Sequence, residues 1–216
     1  MLVYWIVVPI IWVLEHLVWR IEVRGRENLI KDRGFVIACN HISLLDPVFI
    51  VEILFKFRPM YILAKEELFH NPLLGWFLTC VGAVAVDRGK GDMTVLDKVA
   101  DGCKNGRGLL IFPEGTRTKD PHKLGMLKGG AFVAAGKAGV DMIPCRIMYN
   151  TPDGKLHLFC RIRVCFGAPI PAGELEIEDP KHSIAALRGM KNKLKTDLEA
   201  LYEENKFESK NTEALQ

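Results

Sequence analysis

Apolar residues come in short blocks along this chain, and almost every block runs into a polar cluster. The longest block is residues 1–19, MLVYWIVVPIIWVLEHLVW, broken only by Glu15 and His16. Residues 21–27 then alternate apolar and charged positions, the pattern of an edge strand. Apolar runs at 35–39, 60–64, 83–86 and 108–112 read as buried strands. Between them the spacing predicts helices over about 47–57, through Leu73, Leu74, Phe77 and Leu78 to near Gly82, over about 92–104, and over 130–137. A strand over 141–149 and an alternating run over 156–166 flank the Pro152-Asp153-Gly154 turn and predict an antiparallel hairpin. After a loop at 167–182, Leu187, Met190, Leu194, Leu198 and Leu201 mark an amphipathic helix over about 183–204.

Strands alternating with helices through position 140 predict an α/β fold, a mostly parallel, helix-covered mixed sheet with the hairpin on one side. The organisation is a hydrophobic helix over 1–20, one domain over 21–205 and a polar, flexible tail over 206–216. As a helix, residues 1–19 would extend about 28 Å, just short of the roughly 30 Å hydrocarbon core of a bilayer. Pro9 would weaken or kink it. Trp5, Trp12 and Trp19 recur every seven residues and share a face, while Glu15, His16 and Arg20 gather near one end. Tryptophan favours the headgroup boundary, so a helix lying in one leaflet is expected. A helix docked on the domain and a single full span are the alternatives. There is no basic leader segment or small-residue cleavage site. Arg20, Arg24 and Arg26 then favour the cytoplasmic face of the membrane for the domain after the helix, in a monotopic or peripheral arrangement.

Composition narrows the classes. With 216 residues, 49% hydrophobic and 25% charged, the chain can build one full core. Its net charge of +3 is too mild for a nucleic-acid binder. Six cysteines lie mostly inside apolar runs without any Cys-x-x-Cys pair, which suggests buried thiols in a reducing compartment. The histidines form no ligand cluster, so no metal site is expected.

Candidate chemistry sits where strands end. The run at 35–39 exits into Asn40-His41-Ile42-Ser43-Leu44-Leu45-Asp46. Histidine suits general-base work near neutral pH, and a carboxylate on its far nitrogen would fix the tautomer. Residues five apart on one helix point about 140° apart, so the pair can meet only if His41 lies in the turn and Asp46 opens the helix. Asp46 followed by Pro47 is a favourable N-cap and N1 pair. A catalytic pair and a plain capped turn both fit this stretch taken alone.

Other exits carry Lys65, Asp87-Arg88 and Glu114-Gly115-Thr116-Arg117, and in a parallel sheet all line one edge. Glycine after an acidic residue suggests close backbone approach to a ligand, and a guanidinium offers a two-pronged grip on phosphate. Lys128 before the Gly129-Gly130 helix start adds a second anion-binding feature, with Lys119 and Lys123 nearby. A base, phosphate-gripping arginines and a membrane-seeking helix together suit a phosphorylated, lipid-like substrate.

Four segments in this order carry a family resemblance: His41-x-x-x-x-Asp46, Gly82-Ala83-Val84-Ala85-Val86-Asp87-Arg88, Phe112-Pro113-Glu114-Gly115-Thr116-Arg117-Thr118 and Ile143-Pro144-Cys145-Arg146-Ile147. Over roughly residues 20–170 the chain resembles the acyltransferases of glycerolipid synthesis, above all the 1-acylglycerol-3-phosphate acyltransferases. The resemblance implies transfer of a fatty acyl group from an acyl carrier protein or coenzyme A thioester to the sn-2 hydroxyl of lysophosphatidic acid, giving phosphatidic acid. It implies His41 as the base in a direct attack without an acyl-enzyme, oriented by Asp46. Arg88 and Arg117 would hold the phosphate and Glu114 the glycerol, with Gly115, Thr116 and Lys128 completing the substrate-binding set. Lys65, or a backbone N–H near it, is the expected oxyanion donor. No cofactor is implied beyond the thioester co-substrate. Membrane lipid is an implied partner and nucleic acid is not. Cys145-Arg146 departs from the small apolar residues more usual there, which puts the shape of the donor pocket in question. The remaining readings are a superfamily enzyme acting on another lysophospholipid or an amino-lipid, a hydrolase with Ser43 as nucleophile, and a catalytically dead lipid-binding module.

Overall fold

A computed structural model describes residues 2–54, 60–87, 93–175 and 183–208. Its strands are β1 (Arg20–Arg24), β2 (Phe35–Cys39), β3 (Met60–Lys65), β4 (Ala83–Val86), β5 (Gly108–Ile111), β6 (Met142–Tyr149) and β7 (Arg161–Phe166). They form one sheet in the order β1-β7-β6-β2-β5-β3-β4. Every neighbouring pair is parallel except β6–β7. The α/β expectation therefore holds, hairpin included. β1 lies outermost, as its edge-strand pattern predicts, and what sequence spacing did not indicate is that it runs parallel to β7.

β2 is central because it is apolar on both faces. Phe35, Ile37 and Cys39 enter one core, while Val36 and Ala38 enter the other. The first core is covered by α1 (Leu2–Val18), α2 (Asp46–Leu54) and α3 (Pro72–Cys80). The second is covered by α4 (Met93–Lys104), α5 (Gly130–Ala138) and α6 (Ser183–Asn205). Asn71 caps α3, its side-chain oxygen accepting from Leu73 N and Leu74 N at 3.1 and 3.0 Å, with Pro72 at the first helical position. All six cysteines are free thiols, five of them buried.

Three expectations need correction. The alternating run over 156–166 becomes a strand only from Arg161, because the β1 and β6 registers start at Arg161 and Ile162. Before it the chain turns, with Phe159 at φ 61° and both Leu158 and Phe159 exposed. The tail expected to be free from 206 is docked at its start, where Phe207 lies under the Arg163 guanidinium at 4.1 Å. Trp19 does not join the outer face of α1. Its indole donates to His157 O at 2.8 Å and meets Phe49 edge-on, ring centroids 5.3 Å apart.

α1 itself is both docked and open. Val8 and Glu15 are buried against the domain, whereas Trp5, Ile6, Ile10, Trp12, Val13, Leu14 and Leu17 are exposed. Among the described residues no helix is long and apolar enough to cross a membrane. On the docked side two carboxyls face each other across the α1–α2 contact. Burial, then the charge of Glu52, pushes Glu15 up to about 8. Burial pushes Glu52 up to about 7 against the opposing charge of Arg26. His16 Nδ1 lies 3.8 Å from Glu52 Oε1.

Both folded values lie above the ordinary carboxyl value of 4.5, so the folded chain binds more protons than the unfolded one from pH 4.5 up to about 8. The stability this confers is full below the unfolded value and is lost as pH rises through 7 and 8. The melting temperature is expected to fall by several degrees between pH 6 and 9, and Glu15→Gln to flatten that slope. Equal slopes in the two proteins would contradict this account.

Candidate active site

His41 sits in the turn that leaves β2, and its Nδ1 lies 2.9 Å from Asp46 Oδ2. The same oxygen accepts Ile42 N at 2.6 Å and Ser43 N at 2.8 Å. Asp46 thus reaches back to close the turn instead of capping its own helix. The first amides of α2, Val48 N and Phe49 N, bond to Leu45 O at 2.9 and 3.3 Å. The cap expected at this position is replaced by a carboxylate that gathers the preceding backbone around the histidine. With Nδ1–H donating to Asp46, the imidazole keeps Nε2 as its proton-accepting nitrogen. Phe112 stacks on the ring, centroids 4.1 Å apart, and holds its plane.

The segment after β5 locks the histidine's backbone. His41 N donates to Glu114 Oε1 at 2.9 Å, and Thr118 N donates to His41 O at 2.8 Å. The other Glu114 oxygen accepts Gly125 N at 2.7 Å. A Cβ at position 125 would sit 2.7 Å from that oxygen, which explains the glycine. Glu114 is buried and does not contribute to the cavity wall. Its carboxylate braces two loops, a role the sequence did not assign.

Beside His41 opens a cavity of about 640 Å³. At the polar end its wall holds Gly115, Thr116, Arg117 and Lys128. Gly115 has φ 71°, and a Cβ there would lie 2.7 Å from Lys128 Nζ, so glycine lets the lysine stem cross the loop. Elsewhere the wall is mainly apolar, built by Val8 and Ile11 of α1, Val48 and Val51 of α2, Ile62 of β3, and Leu74, Phe77 and Leu78 of α3. The volume is in the range of sites that enclose a small organic ligand.

Several predicted residues fall differently. Lys65 is on the wall, where its ammonium pairs with Glu67 Oε1 at 2.6 Å. Arg88 lies outside the described residues. Ser43 Oγ accepts Leu45 N at 3.2 Å and is not on the wall, so it closes the turn. Arg146 is buried on the opposite face of the sheet, its guanidinium 4.9 Å from the Tyr202 ring centroid and its Nη2 donating to Pro121 O at 3.3 Å. It does not shape the cavity, contrary to the expectation for that segment. Among the described residues no group of three or more His, Cys, Asp or Glu side chains is placed to hold a metal ion.

Two residues escaped sequence reasoning. Asn40 exchanges two bonds with the β6 backbone, donating to Ile147 O at 3.1 Å and accepting Ile147 N at 2.8 Å. Tyr149, at the end of β6, donates its hydroxyl to Asp46 Oδ1. Burial, and then the charge of Asp46, keeps that hydroxyl well above its ordinary pKa, so it stays a donor. No local signal marks either residue, because each partner lies more than a hundred positions away.

Residues 20–148 match the family model described as Acyltransferase. The chain is 33% identical to the chloroplastic 1-acyl-sn-glycerol-3-phosphate acyltransferase LPAT1 of Arabidopsis thaliana over 168 residues, 74% of this chain and 46% of that one. It is 30% identical to the 1-acyl-sn-glycerol-3-phosphate acyltransferase of Bacillus subtilis over 181 residues, 83% of this chain and 88% of that one. The chain therefore spans about half the length of the plant and algal relatives it matches. In structure it is similar to the crystal structure of PlsC, the 1-acyl-sn-glycerophosphate (LPA) acyltransferase of Thermotoga maritima, with a TM-score of 0.55 and 21% identity. That likeness covers 84% of this chain and 73% of the other and concerns the fold.

Proposed function

The chain belongs to the acyltransferase family, and from that premise we propose that it transfers a fatty acyl group from a thioester to the sn-2 hydroxyl of 1-acylglycerol-3-phosphate, producing phosphatidic acid. The observation that carries this reading is the position of the His41–Asp46 pair, between a cationic loop and an apolar cavity. His41 Nε2 takes the proton of the acceptor hydroxyl as its oxygen attacks the thioester carbonyl. The carbon–sulfur bond then breaks, and the imidazolium returns the proton to the thiolate. A thioester is already activated, so a positioned base suffices without an acyl-enzyme. Asp46 holds the tautomer and stabilises the imidazolium. Arg117 and Lys128, with Thr116, grip the phosphate, and Arg88 is the second arginine proposed for that grip. The apolar wall takes an acyl chain.

The proposed seat is the cytoplasmic face of a membrane. α1 and α3 each turn one side to the cavity and another to the outside, where Trp5, Trp12, Leu73 and Trp76 are exposed. Such a surface would let lipid acceptor and product exchange with a bilayer. Vesicle flotation tests the seat, and a chain that stays at the bottom of the gradient would refute it.

The decisive experiment incubates the purified protein with lysophosphatidic acid and palmitoyl-coenzyme A or palmitoyl-acyl carrier protein, with products read by mass spectrometry. Phosphatidic acid formed from at least one donor is the expected result. Acylation of a different lysolipid instead would move the acceptor, and free fatty acid without transfer would replace the mechanism by hydrolysis.

A further inference from the structure

The two oxygens of Asp46 are served from different parts of the fold. Oδ2 takes its donors from residues 41–43, all within the turn that the carboxylate itself closes. Such local donors move with the side chain and leave the rotation of the carboxyl group loosely determined, since this torsion is intrinsically broad. Oδ1 takes the hydroxyl of Tyr149, which belongs to β6, a strand buried along its whole length, paired with β2 at its start and with β7 from Cys145 to Tyr149. Asn40 ties the same strand to the catalytic turn through Ile147, two residues before Tyr149 and on the same face. The sheet, and not the turn, therefore decides where the phenol oxygen stands.

We propose that Tyr149 is a positioning residue of the acyl-transfer site: its hydroxyl orients Asp46 so that Oδ2 meets His41 Nδ1, and by drawing charge from the carboxylate it sets the basicity of the imidazole. The proposal rests on His41 being the base. Removing the hydroxyl leaves a buried carboxylate with less of its charge shared. The concentrated charge stabilises the imidazolium and raises the pKa of His41, so less neutral base is present at neutral pH. Other charged or titratable groups around the pair are Glu114, Arg117 and Lys128 from the segments after β5, the Cys39 thiol of β2, which burial keeps neutral, and Arg146 from β6. Tyr149→Phe alters none of these groups, so a shift in titration reports the hydroxyl.

The test compares wild type, Tyr149→Phe and a protein with 3-fluorotyrosine at position 149, a stronger donor of nearly the same shape. Nuclear magnetic resonance of isotope-labelled histidine follows His41 in folded protein only, with His41→Ala assigning its signal. In Tyr149→Phe the His41 titration is expected to rise by about half a unit to one unit, and the acidic limb of kcat/KM to rise with it. Turnover at pH 7 is expected to fall about two- to threefold, the share of neutral base that such a shift removes. Fluorotyrosine is expected to shift the titration the opposite way. A His41 titration that stays put in both proteins would overturn the proposal, even if turnover drops, because a residue that merely packs would not move it. Should wild type acylate no lysolipid, the functional reading falls, while the resonance titration still decides whether Tyr149 governs the histidine.

Discussion

Replacement of His41 by alanine is expected to lower kcat by about 10²- to 10⁴-fold, the range for loss of a general base. The change deletes the imidazole with its bond to Asp46 and its stack on Phe112, while Asp46 Oδ2 keeps Ile42 N and Ser43 N. The turn's links to the segment after β5 run through the main chain of residue 41, to Glu114 and from Thr118, and alanine preserves both. The KM for each substrate should therefore stay near wild type and the melting temperature fall only modestly while turnover collapses. Asp46→Asn should lose activity too but destabilise more, because a buried carboxylate accepting from His41, Ile42, Ser43 and Tyr149 would become an amide facing donors. Steady-state kinetics at several pH values check both variants. Transfer at the wild-type rate by His41→Ala would end the proposed mechanism.

Combined loss of charge at Arg117 and Lys128 is expected to raise the KM for lysophosphatidic acid by about 10- to 100-fold for each group removed, the strength of a charge-assisted bond to phosphate. Both side chains are exposed on the cavity wall and not packed in a core, so the double alanine variant should fold normally. The KM for the thioester should change far less. An acceptor without a phosphate should be nearly indifferent to the substitutions, which makes its turnover an internal control. Equal losses for phosphorylated and unphosphorylated acceptors would remove these residues from phosphate recognition. Arg88 should behave like Arg117 in the same comparison.

Much of the fold was legible in local pattern because burial leaves a periodic trace. β2 read correctly since five consecutive apolar residues, too few for a buried helix, suit a strand covered on both faces. α3 and α6 were legible from helical spacing. The pattern misled where an element's limits depend on a partner. Residues 156–160 alternate like a strand, yet the β1 and β6 registers begin only at Arg161 and Ile162. α1 showed an apolar surface in sequence, but not which side faces the domain. Its docked side carries Val8 and the buried Glu15, a residue that hydropathy alone would have placed in water.

The site divides along the same line. Its residue types and their order belong to the sequence: a histidine and an aspartate separated by four positions, then Glu114-Gly115-Thr116-Arg117 and Lys128. Parallel strand ends suffice to bring these to one edge of the sheet, which is why the convergence could be foreseen. Beyond the His41–Asp46 pair, tertiary structure decided what each side chain touches. Glu114 braces the turn under His41, Lys65 pairs with Glu67, and Asp46 reaches backward to its own turn while Tyr149 meets its other oxygen. Periodicity records how buried a position is. A hydrogen-bond partner across the sheet depends on strand order and register, which are properties of the assembled chain.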